Sequence, residues 1–220
     1  MIFIRAEARE GAVALAKCLK SALTSDKKVL WLLTGGSSIT ASVEAMNLLP
    51  DELTRNLTIT LGDERYGPVG HKDSNMQQVL DAGFAAKQAT IVPVLIDQGL
   101  DETATQFARV LQQAFDDGWT VIAQFGIGTD GHISGILPHS PAVSANGLVA
   151  TYQGPDHIRI TTTFEAIRQF DVVYAMAYGE SKRQALENLL NRNLSLDEQP
   201  AQIFKSMKKV YIYNDQIEEK

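Results

Sequence analysis

The chain has 220 residues, of which 45% are hydrophobic and 21% are charged, and its 20 basic and 26 acidic side chains give a net charge of −6. These proportions are typical of globular proteins and exclude a wholly disordered, collagen-like or coiled-coil chain. The basic residues form no stripe along the sequence, which argues against a general nucleic-acid binder. The length predicts one domain over residues 1–220.

The compartment is indicated by the single cysteine and by the absence of long apolar runs in the sequence. Cys18 cannot form an intramolecular disulfide, which suits a reducing cytosol, and its Ala/Leu-rich surroundings predict a packed thiol. No apolar run reaches the roughly 18 residues of a membrane span, and Met1-Ile2-Phe3-Ile4-Arg5 is unlike a signal peptide. We expect a cytoplasmic protein without a membrane partner, as a monomer or a small homo-oligomer.

Short apolar runs alternate with amphipathic stretches along the chain. In chain order, these patterns predict a strand at 2–5, a helix at 7–23, a strand at 29–33, a helix at 38–48, a strand at 57–61 and a loop at 62–75. They then predict a strand at 91–94, a helix at 101–117, strands at 121–125, 148–153, 157–163 and 172–176, a helix at 179–190 and a strand at 208–213. The alternation indicates an α/β fold with a mainly parallel sheet.

Ligands of such sheets bind beyond the carboxyl ends of the strands, where four loops of this chain begin. The first is Thr34-Gly35-Gly36-Ser37-Ser38. Its glycines allow close approach of the backbone, its serines add donors, and the following helix N-terminus favours a phosphate. The alternative is a plain turn in which Ser37 or Ser38 caps the helix. No Gly-Lys-Ser/Thr follows, so this is not a Walker loop.

The second loop begins with Gly62-Asp63-Glu64-Arg65-Tyr66 and continues to Asp73-Ser74-Asn75. Three adjacent ionisable groups directly after an apolar strand are costly unless they face a cleft or pair with one another. Asp63 and Arg65 are therefore candidate site residues. The alternative is a surface salt-bridge cluster, with Asp73 or Ser74 capping the next helix.

The third loop, Gly126-Ile127-Gly128-Thr129-Asp130-Gly131-His132, matches the spacing of the Gly-x-Gly-x-x-Gly dinucleotide motif. We reject that interpretation because Pro138 and Pro141 would end the helix that the motif must open. Asp130 and His132 instead indicate proton transfer, since imidazole titrates near neutral pH and a nearby carboxylate can fix its tautomer. The alternative is a loop histidine without a chemical role.

The fourth loop, Gly179-Glu180-Ser181-Lys182-Arg183, opens a predicted helix. A basic residue there opposes the helix dipole, so Lys182 is a candidate anion ligand, with a solvent-facing lysine as the alternative. Arg159 interrupts an apolar strand and needs a partner in the protein or in a ligand. The histidines and the cysteine have no metal-binding spacing, so no metal is expected, and no Gly-x-Ser-x-Gly elbow is present.

Together these segments resemble the 6-phosphogluconolactonases, which share a sugar-phosphate superfamily with the glucosamine-6-phosphate deaminases. The resemblance rests on five blocks in the family's order: Leu33–Ser38, Asp63–Tyr66 with Asp73–Asn75, Gly126–His132, Arg159–Thr161 and Gly179–Lys182. It implies a doubly wound, Rossmann-like α/β fold of the sugar-phosphate isomerase/deaminase type, with helices on both faces of the sheet. It also implies hydrolysis of 6-phospho-D-glucono-1,5-lactone to 6-phosphogluconate in the pentose phosphate pathway, with a sugar-phosphate lactone as the partner and no cofactor.

The resemblance implies that His132 is the general base on water. In the mechanism that we infer from it, Asp130 orients His132 or lies near the sugar hydroxyls, and Arg65 or backbone amides stabilise the oxyanion. The residues expected to bind the substrate and its phosphate are Gly35, Gly36, Ser37, Ser38, Asp63, Arg159 and Lys182.

Two alternatives are a glucosamine-6-phosphate deaminase-like isomerase and a non-catalytic sugar-phosphate sensor. Resemblance to the deaminases implies a carboxylate immediately before Pro138, where this chain has Leu137, and an aromatic residue where it has Arg65. A sensor needs no base, so His132 argues against it. Departures from the lactonase pattern, which bear on the phosphate loop and the pocket wall, are Ile39-Thr40, Gly135-Ile136 and His139.

Overall fold

The computed structural model describes residues 1–24 and 27–218. The strands in these ranges are β1 (Ile2–Arg5), β2 (Val29–Leu33), β3 (Leu57–Leu61), β4 (Asp63–Arg65), β5 (Thr90–Ile91), β6 (Thr120–Gly126), β7 (Val149–Gln153), β8 (Ile158–Thr162), β9 (Val172–Ala177) and β10 (Val210–Asn214). The α-helices are α1 (Ala8–Leu23), α2 (Ile39–Asn47), α3 (Asn75–Asp81), α4 (Leu100–Asp116), α5 (Phe164–Ile167) and α6 (Arg183–Asn191). Short 3₁₀ turns lie at Gly36–Ser38, Asp51–Asn56, Pro141–Ser144, Glu180–Lys182 and Pro200–Ser206.

Two sheets organise these strands. The larger has seven strands in the order β1-β10-β9-β6-β2-β3-β5, and every neighbouring pair in it is parallel. The smaller is antiparallel, in the order β4-β8-β7. The prediction of an α/β fold with a mainly parallel sheet is therefore confirmed.

The parallel sheet is covered on both faces, as its apolar central strands require. Every residue of β2 and of β9 is buried. Right-handed crossovers place α1, α2 and α3 on one face and α4 and α6 on the other. In agreement, α1 contacts α2 and α2 contacts α3, while α4 contacts β6. The winding is thus the doubly wound arrangement that the resemblance implied.

Helix α1 buries one apolar stripe against this sheet. Its buried residues include all those with helical spacing in the sequence: Ala12, Leu15, Ala16, Leu19 and Leu23. Full burial of one such leucine contributes about 1.5–3 kcal/mol. Among the helices of the described residues, none combines the length and apolar character needed to cross a bilayer.

The winding of the sheet opens a crevice between β2 and β6. Strand β2 continues through α2 to β3 on one side, whereas its neighbour β6 leads to β9 on the other side. The loops that follow β2 and β6 therefore diverge at the carboxyl end of the sheet, where ligands bind in folds of this kind. Residues 34–38 and 127–132 lie at this position.

Three predicted elements differ from the structure. Residues 63–65, predicted within a loop, form β4 because they pair with β8, which the local sequence does not reveal. The strand predicted at 91–94 is the shorter β5, Thr90–Ile91, whose pairing with β3 ends with the hydrogen bond from Val92 N to Ile59 O at 2.8 Å. The helix predicted at 179–190 begins as a 3₁₀ turn and continues as α6 to Asn191.

Candidate active site

The four predicted loops meet in one cleft of about 150 Å³ at the carboxyl end of the sheet. All but one of the predicted site residues line it: Gly35, Gly36, Ser37, Ser38, Asp63, Arg65, His132, Arg159 and Lys182. The exception is Asp130, which lies beside the His132 ring and holds it. The rest of the lining is Thr34, Asn75, Gly126, Ile127, Gly128 and Ser134.

His132 is held by Asp130, two residues before it. Oδ1 of Asp130 lies 2.7 Å from His132 Nδ1 and accepts the His132 backbone N–H at 3.0 Å. No group of the described residues hydrogen-bonds Nε2 of this ring. Because Asp130 accepts the proton on Nδ1, Nε2 of a neutral His132 keeps a free lone pair at the cleft. Partial burial raises the pKa of Asp130, but the hydrogen bonds from His132 outweigh it and lower that pKa to about 2.

Gly128 and Gly131 give this loop its shape. A Cβ at Gly128 would collide with His132 Nδ1 and with Asp130 Oδ1, so only glycine leaves room for the pair. Gly128 N–H donates to His132 O at 2.8 Å, and Gly131 N–H donates to Gly128 O at 3.0 Å. Gly131 has a φ of +81°, which glycine adopts without strain. The glycines thus support a His–Asp pair rather than a dinucleotide.

Asp63 and Asn75 connect the second loop to the first. Asn75 Nδ2 donates to the backbone O of Asp63 at 2.9 Å and to its Oδ2 at 3.3 Å. The Oδ1 of Asn75 is buried without a hydrogen-bond partner and lies against Gly35, where a Cβ would collide with it. Burial raises the pKa of the Asp63 carboxyl, and nearby positive charge, that of Arg65 first, opposes the rise. Asn75 therefore fixes both walls of this part of the cleft.

Glu64 is fully buried and organises the second loop from behind. Its carboxylate accepts four hydrogen bonds of 2.6–3.1 Å, from Arg65 N, Ser74 Oγ, Asn75 N and Met76 N. Burial raises the pKa of Glu64, and these hydrogen bonds oppose the rise. Glu64 is thus bound by amides and a hydroxyl instead of joining a surface salt-bridge cluster. Ser74, one of the two residues predicted to cap the next helix, caps α3 by accepting the Gln77 N–H at 3.1 Å.

Arg65 and Arg159 are directly paired residues of the antiparallel strands β4 and β8. Arg65 Nη1 donates to Asp73 O at 3.0 Å, and Arg159 Nη2 donates to Asp156 Oδ1 at 2.9 Å. The Nε of each guanidinium is buried without a hydrogen-bond partner. Like charges opposite each other are destabilising, and buried unpaired donors are costly. The opposed positive charges favour an anion bound beside the two guanidinium groups, which both line the cleft.

The loop after β2 presents mainly backbone to the cleft. Gly36 has a φ of +70° and opens the 3₁₀ turn that leads into α2. Ser38 is buried and its Oγ donates to Met176 O at 3.3 Å, so this hydroxyl already has a partner, whereas Ser37 is exposed. Neither serine caps the helix through its side chain. Anions are favoured here by the amides of the turn and by the helix N-terminus.

Lys182 lies in the 3₁₀ turn that precedes α6 and is half-buried at the cleft. Burial lowers the pKa of its ammonium group, and the negative charge of Asp130 opposes that shift. Lys182 therefore lies within electrostatic reach of the His–Asp pair. The turn is held by Gly179, whose N–H donates to Asp215 Oδ1 at 2.9 Å.

A buried network of hydroxyl groups links the His132 loop to β8. Ser134 Oγ donates to Gly62 O at 2.7 Å and lies 3.1 Å from Thr161 Oγ1. Thr161 Oγ1 accepts the Gly135 N–H at 3.0 Å, and Tyr152 donates its hydroxyl proton to Gly135 O at 2.6 Å. The loop that carries the imidazole is thus fastened to the strand that carries Arg159.

Glu64, Asn75 and Ser134 help to build the site and were not among the residues predicted to form it. For Glu64, a carboxylate inside the Asp-Glu-Arg triplet was a usable signal, but the sequence does not show that it faces away from a ligand. Asn75 directly follows the capping Ser74, and its contact with Gly35 depends on the fold. Ser134 carries no sequence signal of its role.

The cleft combines the His132 imidazole and the Asp63 carboxyl with cationic groups around them. His132 Nε2 can take a proton from a bound water or hydroxyl group. The guanidinium groups of Arg65 and Arg159 match the geometry of phosphate or carboxylate oxygens, and Lys182 adds a point charge. This combination suits proton-transfer chemistry on a phosphorylated small molecule.

The sequence is similar to known proteins over most of its length. Residues 5–212 match the family described as glucosamine-6-phosphate isomerases/6-phosphogluconolactonase. A 6-phosphogluconolactonase from Pseudomonas aeruginosa is 32% identical to this chain over 143 residues. These residues are 62% of this chain and 58% of the relative, so the match spans less than two thirds of the relative's length. A 6-phosphogluconolactonase from Neisseria meningitidis is 28% identical over 186 residues, which are 80% of each chain.

Solved structures with both activities of this family share the fold. A 6-phosphogluconolactonase from Shewanella baltica superposes with a TM-score of 0.81 at 20% identity, covering 97% of each chain. A monomeric glucosamine-6-phosphate deaminase superposes with a TM-score of 0.79 at 20% identity, again over 97% of each chain. At these identities the likeness shows the fold alone. The match over residues 5–212 shows that the chain belongs to the glucosamine-6-phosphate isomerase/6-phosphogluconolactonase family.

Proposed function

We propose that this chain is a 6-phosphogluconolactonase that hydrolyses 6-phospho-D-glucono-1,5-lactone to 6-phosphogluconate. The observation that carries the proposal is the His132 ring, whose Nδ1 lies 2.7 Å from Asp130 Oδ1 and whose Nε2 is left for a proton. The ring lines a cleft shared with Arg159 and Lys182. The names of the relatives from Pseudomonas aeruginosa and Neisseria meningitidis support the same activity.

In the first step, His132 Nε2 removes a proton from water while the water oxygen attacks C1 of the lactone. The C1–O π electrons move onto the carbonyl oxygen, which becomes an oxyanion. The imidazolium that forms keeps its Nδ1–H on Asp130, whose negative charge stabilises it. A positioned base of this kind contributes roughly 10²–10⁴-fold to the rate.

In the second step, the tetrahedral intermediate collapses and the bond between C1 and the ring oxygen breaks. The ring oxygen takes the proton from the imidazolium and becomes a hydroxyl, while C1 becomes a carboxylic acid that ionises in water. The oxyanion between these steps needs hydrogen-bond donors. Arg65, which lines the cleft, and the amides of residues 126–128 are the candidates.

The phosphate is assigned to Arg159 and Lys182, with the amides of residues 35–38 beside them. Each charge-assisted hydrogen bond of this kind contributes about 1.5–3 kcal/mol. Asp63, two residues before Arg65 on β4, offers carboxylate oxygens to the sugar hydroxyls. Binding the phosphate at one end and the hydroxyl groups along the sugar fixes C1 in front of His132.

The deaminase alternative is disfavoured by two side chains. A deaminase needs a carboxylate for ring opening, and the position immediately before Pro138 holds Leu137, which cannot transfer a proton. Arg65 occupies a cleft position where the deaminases usually have an aromatic residue. A sensor would have no use for a histidine whose ring is held by Asp130 with Nε2 left to accept a proton.

The proposal is tested with freshly prepared lactone, whose consumption and acid release are followed against the spontaneous rate in buffer. We expect acceleration in proportion to protein concentration and no ammonia from glucosamine 6-phosphate. A rate equal to that of buffer, together with tight binding of 6-phosphogluconate, would indicate a sensor instead. Ammonia release would indicate a deaminase.

A further inference from the structure

Gln199 is a buried glutamine behind the His132 loop, and the mechanism above gives it no role. It is 2% exposed and directly precedes the 3₁₀ turn Pro200–Ser206. A Cβ at Gly131 would collide with its side chain, so Gln199 packs against the residue that joins Asp130 to His132. The N–H of Ala201 donates to Gly131 O at 3.0 Å. This segment therefore supports the His132 loop from behind.

The same side chain binds helix α6. Gln199 Nε2 donates to Ala185 O at 2.7 Å, and its Oε1 accepts a hydrogen bond from Gln202 Nε2 at 2.7 Å. Gln202 is buried as well and also donates to Asn188 O at 3.2 Å. Helix α6 begins directly after Lys182. Two buried amide side chains thus connect the loop of the base to the helix that follows the phosphate-binding lysine.

We propose that Gln199, supported by Gln202, is a positioning residue that sets the distance between the His132 imidazole and the Lys182 ammonium. A substrate bound through its phosphate presents C1 to the base only when this distance matches the sugar. An error of about 1 Å in such a distance can reduce the rate by about 10²-fold. Glutamine suits the task because one amide donates and accepts at the same time, so it bonds to a helix carbonyl and to a second amide together.

The first test is a double-mutant cycle on kcat/KM, which rests on the lactonase activity proposed above. Gln199→Leu keeps the bulk against Gly131 and removes both hydrogen bonds, and we expect kcat/KM to fall about 30-fold. In a Lys182→Ala background the same change should cost less than about 3-fold, because the distance to an absent ammonium no longer matters. Equal losses in the two backgrounds would overturn the proposal.

Thr54→Val is the matched control for lost stability. Thr54 is buried far from the cleft, donates to Asp51 O at 2.8 Å and accepts the Gln88 N–H at 3.1 Å, so this variant also loses two hydrogen bonds. We expect a lower melting temperature and a kcat/KM within about 2-fold of wild type. A fall in kcat/KM as large as that of Gln199→Leu would show a general stability effect and contradict the positioning role.

The second test does not depend on turnover. NMR spectra of the histidine rings should show the His132 resonances displaced in Gln199→Leu while those of His71 and His157 stay in place. Unchanged His132 resonances would overturn the positioning role. If wild-type protein does not hydrolyse the lactone, the proposed function fails, and this spectrum alone decides the role of Gln199.

Gln202→Met is the second variant, for the case that Gln199→Leu does not fold. It removes the amide that donates to Gln199 Oε1 and leaves the contact between Gln199 and Gly131 in place, and we expect the same displacement of the His132 resonances.

Discussion

Arg65 and Arg159 stand side by side as paired residues of two antiparallel strands, and the Nε of each is buried without a partner in the protein. The charge of Arg159 is partly neutralised by the exposed carboxylate of Asp156, to which its Nη2 donates. Arg65 instead donates its Nη1 proton to the backbone carbonyl of Asp73. Partial burial raises the pKa of Asp156, but the charge of Arg159 and other effects outweigh it and lower that pKa. The two guanidinium groups thus lie beside the carboxyl groups of Asp156 and Asp63, in a chain whose net charge is −6.

Inorganic phosphate is expected to stabilise the protein by binding beside these guanidinium groups. A ligand that binds the folded state alone raises the free energy of unfolding by about 2.7 kcal/mol at a hundred times its Kd. We expect thermal unfolding to shift upward in phosphate relative to chloride at equal ionic strength, and Arg159→Leu to lose most of that shift. An equal shift in both proteins would exclude Arg159 from anion binding.

Lys182→Ala is expected to act mainly on substrate binding. Loss of one charged hydrogen bond to phosphate, worth about 1.5–3 kcal/mol, should raise KM by about 10–100-fold with a much smaller change in kcat. Initial rates over a range of lactone concentrations measure both parameters. Lys208→Ala, an exposed lysine just before β10 at the amino end of the sheet, is the control with an unchanged KM. An unchanged KM in Lys182→Ala would contradict its assignment to the phosphate.

Gly128→Ala is expected to separate His132 from Asp130. The added methyl would occupy the space of His132 Nδ1 and Asp130 Oδ1, so one of these groups must move. We expect kcat to fall by about 10²-fold. Gly99→Ala places a methyl where no atom lies within 4 Å and should leave kcat unchanged. Wild-type turnover in Gly128→Ala would mean that the pair tolerates displacement.

The loop that carries Asp130 and His132 could be predicted because its residues are close together in the sequence. Asp130 and His132 are two residues apart, follow an apolar strand and stand among glycines, so local rules indicate both their position and their pairing. The mainly parallel sheet was predictable for a similar reason, since its buried strands are short apolar runs that alternate with amphipathic stretches. The double winding was implied by the family resemblance. The His–Asp loop and the strands are both determined by residues that are adjacent in the sequence, and this is why the sequence alone predicts them.

Relationships between distant residues could not be predicted in this way. Arg65 and Arg159 were each identified as candidates, but their pairing depends on β4 adding to β8, and β4 looked like a loop. Gln199 gave no signal, because an uncharged amide far along the chain from Gly131 looks like an ordinary polar residue. Packing of the whole fold, rather than any local pattern, brings these groups together.

Asp130 is expected to make stability depend on pH in the acid range. Its folded pKa of about 2 lies below its ordinary value of 3.8, so the carboxylate stabilises the fold above the ordinary value. That contribution is lost as the pH falls through about 2. Asp130→Asn should therefore lower the free energy of unfolding near neutral pH, and its difference from wild type should shrink between about pH 4 and pH 2. Urea unfolding measures this difference, and a constant value across the range would contradict it.

His132→Gln tests most directly whether His132 Nε2 is the base that activates water. Glutamine keeps a side chain in this place but has no basic nitrogen, so kcat for the lactone should fall by about 10²–10⁴-fold. Binding of 6-phosphogluconate, followed by calorimetry, should stay within about 2-fold because the cationic groups are intact. Turnover at the wild-type rate in this variant would contradict the account.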